Sequence, residues 1–207
     1  MRPSFPLSSQ SIFRTHFYAY DRTAIYKGNV LEWKGVTYIE TSGIYIEGKT
    51  IAKTKDGSWH INEVKEDKTH TFIVLRSFLD QYLYVREDYK IPTSGSVTSV
   101  FIKNTRISNE DFCRSVEKII VEDGESFIIE TDNIYSKASE IHLSYENCPV
   151  ATKHAGFIGF INNSWVYIEP INTWVRNEDG PPKKYTVKCK IINKDHIPII
   201  ESHIRTN

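Results

Sequence analysis

Alternation of apolar and polar positions is the clearest pattern in this chain. In residues 141–146 and 185–191, apolar or aromatic residues occupy every second position, with polar or charged residues between them. This period of two is typical of a β-strand with one buried and one exposed face. Shorter runs rich in β-branched and aromatic residues predict further strands; they lie at residues 44–46, 50–53, 59–64, 71–75, 82–85, 97–102 and 126–131.

Turn signals between these runs predict β-hairpins. The signals are Lys34-Gly35, Asp56-Gly57 and Asn162-Asn163-Ser164, and each has a strand-like run on both sides. Gly, Asn and Asp tolerate the positive φ that tight hairpin turns need. The hairpin around residues 162–164 has the clearest flanking runs. In a tight turn, this Asn-x-Ser sequence is better explained by the backbone than as a glycosylation acceptor.

One stretch, residues 108–123, has the period of a helix. From Phe112 onward, apolar residues fall at i, i+4, i+7 and i+8, which gives one buried stripe. Ser108 is the predicted N-cap, and Gly124 is the predicted stop. Cys113 lies beside the stripe and is predicted to be part of the core.

These elements predict an α+β fold that is rich in β-structure. We expect an antiparallel sheet of hairpins with one main helix, at about residues 108–123, packed on one face. Breaks near residues 90–96 divide the chain into a β-hairpin subdomain at 21–92 and an α+β subdomain at 93–207, unless both form a single domain. Residues 1–20 are expected to form a loose tail, and Pro198 limits the last segment to an edge strand or irregular structure.

Composition narrows the classes of function. The chain has 207 residues, of which 40% are hydrophobic and 25% charged, so it can build a core. The 26 basic and 26 acidic residues cancel, giving a net charge of +0. Nucleic-acid-binding domains usually carry a basic excess, so we expect no nucleic-acid partner.

Neither a membrane span nor a secretory signal is visible. No run of about 18 apolar residues occurs, so no transmembrane segment is predicted. The first ten residues lack the apolar core of a signal peptide. The expected location is therefore the cytoplasm, or the cell envelope if this start is that of a processed form.

Residues 43–50 match the phosphate-binding pattern G-x-x-x-x-G-K-[ST] in full. A working phosphate loop connects a strand to a helix whose N-terminus faces the phosphate. Here residues 44–46 favour a strand, Glu47 would place a carboxylate beside the phosphate, and Asp56-Gly57 follows too early for a long helix. We therefore predict a strand at 44–46 and a turn at Gly48-Lys49.

Part of the first half resembles a known group of proteins. Residues 48–64 contain Gly-Lys-x-Ile-x-Lys-Thr-x-Asp-Gly followed by a strand that ends in Glu-Val, and Trp33–Tyr38 forms an upstream hairpin. Over residues 28–90 the chain resembles small β-rich lipoproteins and secreted proteins of Gram-positive bacteria. These are mostly uncharacterised, so the resemblance implies a β-rich fold and no catalytic residues. The start of this chain lacks their signal peptide and lipid-bearing cysteine.

The reactive side chains suggest no catalytic or metal site. Cys113, Cys148 and Cys189 are far apart, and we predict reduced, buried thiols, with a Cys148–Cys189 bridge as the alternative. Cys148 and His154 are six residues apart around a proline, which leaves a thiolate–imidazole pair as a minor alternative. The seven histidines form no zinc motif. Acidic pairs are interpreted as solvated loop charges; they are Glu87-Asp88, Glu122-Asp123 and Glu178-Asp179.

The function that these features favour is non-enzymatic binding of a protein partner, without a cofactor. A protective role of the immunity type, in which the chain neutralises a toxin or a competing element, is one specific form. Its basis is the absence of a credible catalytic site, the neutral charge, and the many aromatic residues on alternating strands.

Two alternatives come from other classes of function. The first is a nucleotide hydrolase, in which Gly43 and Gly48 would shape the loop, Lys49 would hold the β- and γ-phosphates, and Thr50 would hold Mg²⁺. The second is a carbohydrate- or cell-wall-binding module that stacks sugars on exposed tryptophans. The candidates for that role are Trp33, Trp59, Trp165 and Trp174.

Overall fold

The computed structural model describes residues 21–170 and 185–204, and for Tyr185 it describes the backbone alone. These ranges contain the following strands and α-helices: β1 (Asp21–Lys27), β2 (Val30–Trp33), β3 (Val36–Thr41), β4 (Glu47–Thr54), β5 (His60–Val64), β6 (Phe72–Arg76), β7 (Gln81–Arg86), β8 (Val97–Ile102), β9 (Thr105–Ile107), α1 (Glu110–Val121), β10 (Ser126–Thr131), β11 (Ser139–Tyr145), β12 (Lys153–Ile161), β13 (Ser164–Ile168), β14 (Tyr185–Ile191) and α2 (Ile197–His203). The β-rich α+β class predicted from the sequence is confirmed. The tail predicted at residues 1–20 lies outside the described residues.

The first seven strands form a closed barrel in the order β1-β2-β3-β7-β6-β5-β4. All neighbours run antiparallel except β1 and β4, which pair in parallel at Asp21–Ala52 and Ala24–Thr54. An odd number of strands cannot alternate in direction all the way round a ring, so one pair must run parallel. The expectation of a simple antiparallel sheet is therefore wrong for this half, because closure of the barrel requires the parallel pair.

The barrel interior is filled by the inward-facing residues of each strand. Leu31, Ile61, Ile73 and Leu75 are completely buried there. The Tyr84 ring lies among them, and its hydroxyl donates a hydrogen bond to the carbonyl of Gly28. The hairpin predicted at Lys34-Gly35 joins β2 to β3, with φ of 51° and 74° at the two residues. Positive φ at both turn positions matches the twist of the flanking strands.

The last seven strands form an open sheet in the order β10-β14-β13-β12-β11-β8-β9. All its pairs are antiparallel, as the sequence predicts. Helices α1 and α2 cover one face, where Phe112, Val116 and Ile200 are completely buried. The hairpin predicted at Asn162-Asn163 joins β12 to β13 through a two-residue turn, with φ of 50° and 60°.

The ends of α1 differ from the sequence prediction. The N-cap is Asn109, whose side-chain oxygen accepts from the N–H of Phe112 at 2.9 Å. Ser108 lies one residue too early for this bond, and its hydroxyl lies 3.0 Å from that of Ser99. Gly124 is not the stop either, because the helix ends at Val121. The Lys190 ammonium satisfies the carbonyls at this end, at 3.2 Å from Ile120 O and 2.6 Å from Glu122 O.

Helix α2 is not predicted by the sequence pattern, which limited the segment after Pro198 to an edge strand or irregular structure. Pro198 lies in the first turn of the helix, where a proline costs no hydrogen bond. The helix packs Ile200 and Ile204 against the sheet. Within the described ranges, neither helix is long and apolar enough to cross a membrane.

A shared apolar cluster joins the barrel to the sheet. Phe72 and Val74 from the barrel wall pack with Cys148 and Val150 from the β11–β12 connection. Arg106 adds a polar link, because its guanidinium bonds Glu66 of the barrel side and also Ser99 of the sheet. The chain itself passes from one unit to the other between β7 and β8.

Candidate functional site

The β6–β7 turn carries two large apolar side chains in full contact with solvent. Phe78 is 99% exposed and Leu79 is 85% exposed. Turns are usually built from small or polar residues. Single exposed apolar residues are common on protein surfaces, but two adjacent ones at the tip of a hairpin form a feature that folding does not require.

Hydrogen bonds fix the shape of this turn. The N–H of Ser77 donates to the carbonyl of Asp80 at 2.8 Å. The Ser77 hydroxyl oxygen accepts from the N–H of Asp80 at 2.9 Å and from the N–H of Leu79 at 3.3 Å. The two apolar side chains are therefore displayed on a well-bonded loop, held between the paired residues Arg76 and Gln81.

Aromatic rings surround the base of the turn at this end of the barrel. Trp59 packs against Tyr26, with ring centroids 5.3 Å apart, and against Tyr82, at 5.9 Å. All three rings are half-buried and contact the barrel core. The pairing of His60 with Arg76 places Trp59 beside the β6–β7 turn. We call Phe78, Leu79 and these three rings the apical surface.

Two of the other three tryptophans are buried and cannot stack on a sugar. Trp33 and Trp165 are each 3% exposed and belong to the barrel core and the sheet core, respectively. Trp174 lies outside the described residues. Of the four tryptophans proposed as stacking platforms, Trp59 is therefore the one shown with an accessible edge.

The phosphate-loop match lies in a different context from the one that the motif requires. Residues 44–46, predicted as a strand, do not form one: Ile44 makes an isolated bridge with Ala151, and the carbonyl of Ile46 accepts from the N–H of Lys65 at 2.8 Å. Gly48 and Lys49, predicted as a turn, lie inside β4 at a shift in its register with β5. A Cβ at Gly48 would lie 2.4 Å from the Glu63 side chain, so crowding explains this glycine. Strand β4 continues into the hairpin with β5, where a phosphate loop would continue into a helix.

All three cysteines are free and buried, so the prediction of reduced thiols is confirmed and the Cys148–Cys189 bridge is wrong. Cys148 lies in the cluster between barrel and sheet, whereas Cys189 packs on the opposite side of β14 from α1, with Phe157 and Val187. Burial raises the pKa of both thiols. A thiol with a raised pKa is a poor nucleophile at neutral pH.

Two of the three acidic pairs lie at element ends, as the sequence indicates. Asp88 forms an ion pair with Arg86 directly after β7. Glu122 follows α1, and its carboxylate lies 3.3 Å from the His196 ring. The pair Glu178-Asp179 lies outside the described residues.

A histidine pair beside the sheet is a feature that the sequence did not indicate. His142 and His154 lie side by side on β11 and β12, with ring centroids 5.1 Å apart. Their Nε2 atoms lie 3.4 Å and 3.3 Å from one carboxylate oxygen of Glu140. A register shift in β12 brings the two rings together, and the alternation along either strand does not reveal it. Across the described ranges, no three His, Cys, Asp or Glu side chains could hold a metal ion.

We expect this pair to make stability depend on pH. Burial lowers the pKa of His142; the nearby His154 lowers it further, and Glu140 opposes the shift. Because the pKa of His142 in the folded protein is below the ordinary histidine value of about 6.5, its burial as a neutral ring is favourable above about pH 6.5. This stability is then lost as pH falls towards the folded pKa, because the unfolded chain binds more protons.

The measurement is the urea unfolding free energy between pH 7.5 and 5. The wild type should lose stability below about pH 6.5, and His142→Gln should reduce that slope. His60 also has a pKa lowered by burial and by Lys53, but it is more exposed than His142, so His60→Gln should reduce the slope less than His142→Gln does. A wild-type slope that is unchanged in His142→Gln would contradict the assignment.

No protein-family model, no characterised protein and no solved structure matches this chain. The resemblance of residues 28–90 to Gram-positive lipoproteins therefore stays a prediction.

Proposed function

We propose that the protein is a non-enzymatic binding protein that holds a protein partner through its apical surface. One observation carries the proposal: Phe78 and Leu79 are 99% and 85% exposed at the tip of a turn that is held by its own hydrogen bonds. Large exposed apolar side chains reduce solubility unless a partner covers them.

The shape of the turn suits a protein pocket. Two adjacent side chains that project from a hairpin can enter a cavity together and become fully desolvated there, which is typical of binding hot spots. Because the turn is already ordered, binding loses little conformational entropy. The half-buried rings of Trp59 and Tyr82 would lie at the margin of such a contact.

The charges near the turn indicate what the rim of that pocket should carry. Asp80 lies within the turn, and Asp56 lies in the neighbouring β4–β5 turn, where hydrogen bonds from Thr54 and Ser58 lower its pKa. Arg76 is already paired with Glu47. Lys55, next to Asp56 in the same turn, is also exposed, so the charge here is mixed. The rim of a partner pocket should then carry both signs, and an anionic lipid surface gains no net attraction.

The test begins with a photo-crosslinking amino acid in place of Phe78, used in cells that express the full chain. The matched control carries the same probe at Val121, which is 78% exposed on α1. A protein captured at position 78 and not at 121 is then purified, and its Kd for the wild-type chain is measured.

Substitution of the turn should weaken that complex strongly. Loss of one hot-spot side chain costs about 2 kcal/mol, so Phe78→Asp should raise Kd roughly 30-fold, and Leu79→Asp should have a similar effect. Val121→Lys should leave Kd unchanged. Equal binding by the wild type and Phe78→Asp would overturn the proposal. If the substitutions do weaken binding, the identity of the captured partner shows whether the complex serves a protective role of the immunity type.

Glycan binding at the same end of the barrel is the second candidate. The observation in its favour is the half-exposed group Tyr26, Trp59 and Tyr82, since aromatic rings stack on sugars. Trp59→Ala should abolish retention on immobilised cell-wall polysaccharide while Phe78→Asp leaves it intact. The protein-partner proposal predicts instead that, for the Kd of the captured partner, Phe78→Asp has a larger effect than Trp59→Ala.

A further inference from the structure

Strand β10 forms one edge of the open sheet. Its six residues pair with β14 in an uninterrupted register from Ser126–Lys190 to Thr131–Tyr185. On its other side, the sheet order places no further strand from the described part of the chain. The opposite edge of the sheet is β9, which has only three residues.

The direction of the backbone groups on β10 follows from one hydrogen bond. The N–H of Ile191 donates to the carbonyl of Glu125 at 2.7 Å, so residue 125 and every second residue after it face β14. The residues between them have N–H and C=O groups that point away from the sheet. These residues are Ser126, Ile128 and Glu130.

Among the described residues, this edge carries one of the features that usually prevent strand pairing, the charge of Glu130. Protected edges carry charged residues, lysine above all, or a proline or a bulge. Strand β10 otherwise has three adjacent apolar residues, 127–129, in a regular register, and Ile128 is 68% exposed. A regular and apolar strand with outward backbone groups is suited to accept another strand.

We propose that β10 pairs with β10 of a second copy of this chain, in antiparallel orientation, and so joins two sheets into one. With a two-fold axis perpendicular to the sheet, the face that α1 and α2 cover lies on the same side in both copies. Side chains that meet across the new pair must therefore both be even-numbered or both odd-numbered. With Ile128 opposite Ile128 of the second copy, Phe127 faces Ile129 and Ser126 faces Glu130.

This register satisfies the side chains and the backbone together. Apolar residues meet apolar residues on both faces, and the one charged residue of β10, Glu130, meets a serine instead of another carboxylate. The outward groups of Ser126, Ile128 and Glu130 supply about six interchain hydrogen bonds, as in any antiparallel ladder. The strand is thus complementary to itself, which is the requirement for a two-fold interface.

The first test is the mass of the full chain in solution, measured by sedimentation velocity from 1 to 200 µM. We expect a dimer in the wild type. Ile128→Lys places a charge opposite its own copy, and Ile128→Pro removes an outward N–H, so each should raise the dimer dissociation constant at least 10-fold. Ile39→Lys, which changes an exposed apolar residue on barrel strand β3, should remain dimeric. Circular dichroism confirms that each variant is folded.

The second test examines the register. Opposed Cα atoms of a hydrogen-bonded antiparallel pair lie about 5.5 Å apart, within the range of a disulfide. Ile128→Cys should therefore form an interchain disulfide on mild oxidation, whereas Ile129→Cys and Ile39→Cys should not. The native cysteines are buried and do not compete.

Three results would overturn the proposal. The first is a wild-type monomer at 200 µM. The second is a dimer that survives both Ile128→Lys and Ile128→Pro. The third is a dimer that Phe78→Asp dissociates and the Ile128 variants do not, because that result would place the contact at the apical surface.

Discussion

Replacing Gly156 with alanine should destabilise the protein by roughly 3–5 kcal/mol, through backbone strain and a steric clash together. Gly156 has φ of +109°, a conformation that residues with a Cβ rarely adopt. It lies at a bulge in β12. Ile141 and His142 of β11 pair with Gly156 and His154, so Ala155 is the extra residue on β12. An alanine Cβ would lie 2.2 Å from the carbonyl oxygen of Ile168.

Backbone atoms on a paired strand cannot move aside cheaply, which is why the expected effect is large. The measurement is urea unfolding followed by circular dichroism, with a fall in melting temperature of about 6–20 °C as the thermal counterpart. Gly57→Ala is the control, because Gly57 also has positive φ, +78°, but a Cβ there meets open space. Equal losses for the two variants would show that strain alone matters and would contradict the clash.

Replacing Phe72 with alanine should cost about 3–5 kcal/mol, the usual range for a buried phenylalanine. Its ring is fully buried where the barrel wall meets the sheet, and it packs edge-on against Tyr89 with centroids 5.5 Å apart. The substitution would leave a cavity at the junction of the two units. The stability of both units should therefore fall.

The two units can be followed separately by the fluorescence of Trp33 in the barrel and Trp165 in the sheet, using single-tryptophan variants. The control is Phe78→Ala, the same substitution in the same hairpin at a residue that is 99% exposed. It should change stability by less than about 0.5 kcal/mol. A small loss for Phe72→Ala, similar to that of the control, would contradict the role of the junction.

Local signals explain why much of the fold could be predicted. The turns at Lys34-Gly35 and Asn162-Asn163 specify hairpins by themselves, since residue type and φ are linked within two residues. The amphipathic stripe of α1 is equally local. Closure of the barrel is not local, because the pair Asp21–Ala52 depends on the positions of all the strands between them. Pro198 was misleading because proline is compatible with both a loop and the first turn of a helix.

The apical surface is harder to predict, because apolar residues beside strand-like runs favour an assignment to the core. Phe78 and Leu79 lie between two buried strands and have the composition of core residues. Only the four-residue span of the turn and its hydrogen bonds place them in solvent. Trp33 and Trp165 show the opposite error: they are candidates for an exposed sugar-binding role in the sequence, but both are buried in the two cores.

The parallel seam of the barrel has a consequence for the nascent chain. Strand β1 leaves the ribosome first, but its partner β4 follows only after two more strands, and the ring closes only when β7 has joined β3. The end of β4 follows the end of β1 by about 27 residues, which is roughly 1–5 s of synthesis. Throughout that time the edge of β1 that β4 later covers has no partner strand, so this is the interval in which a chaperone that shields short extended segments would act on this chain.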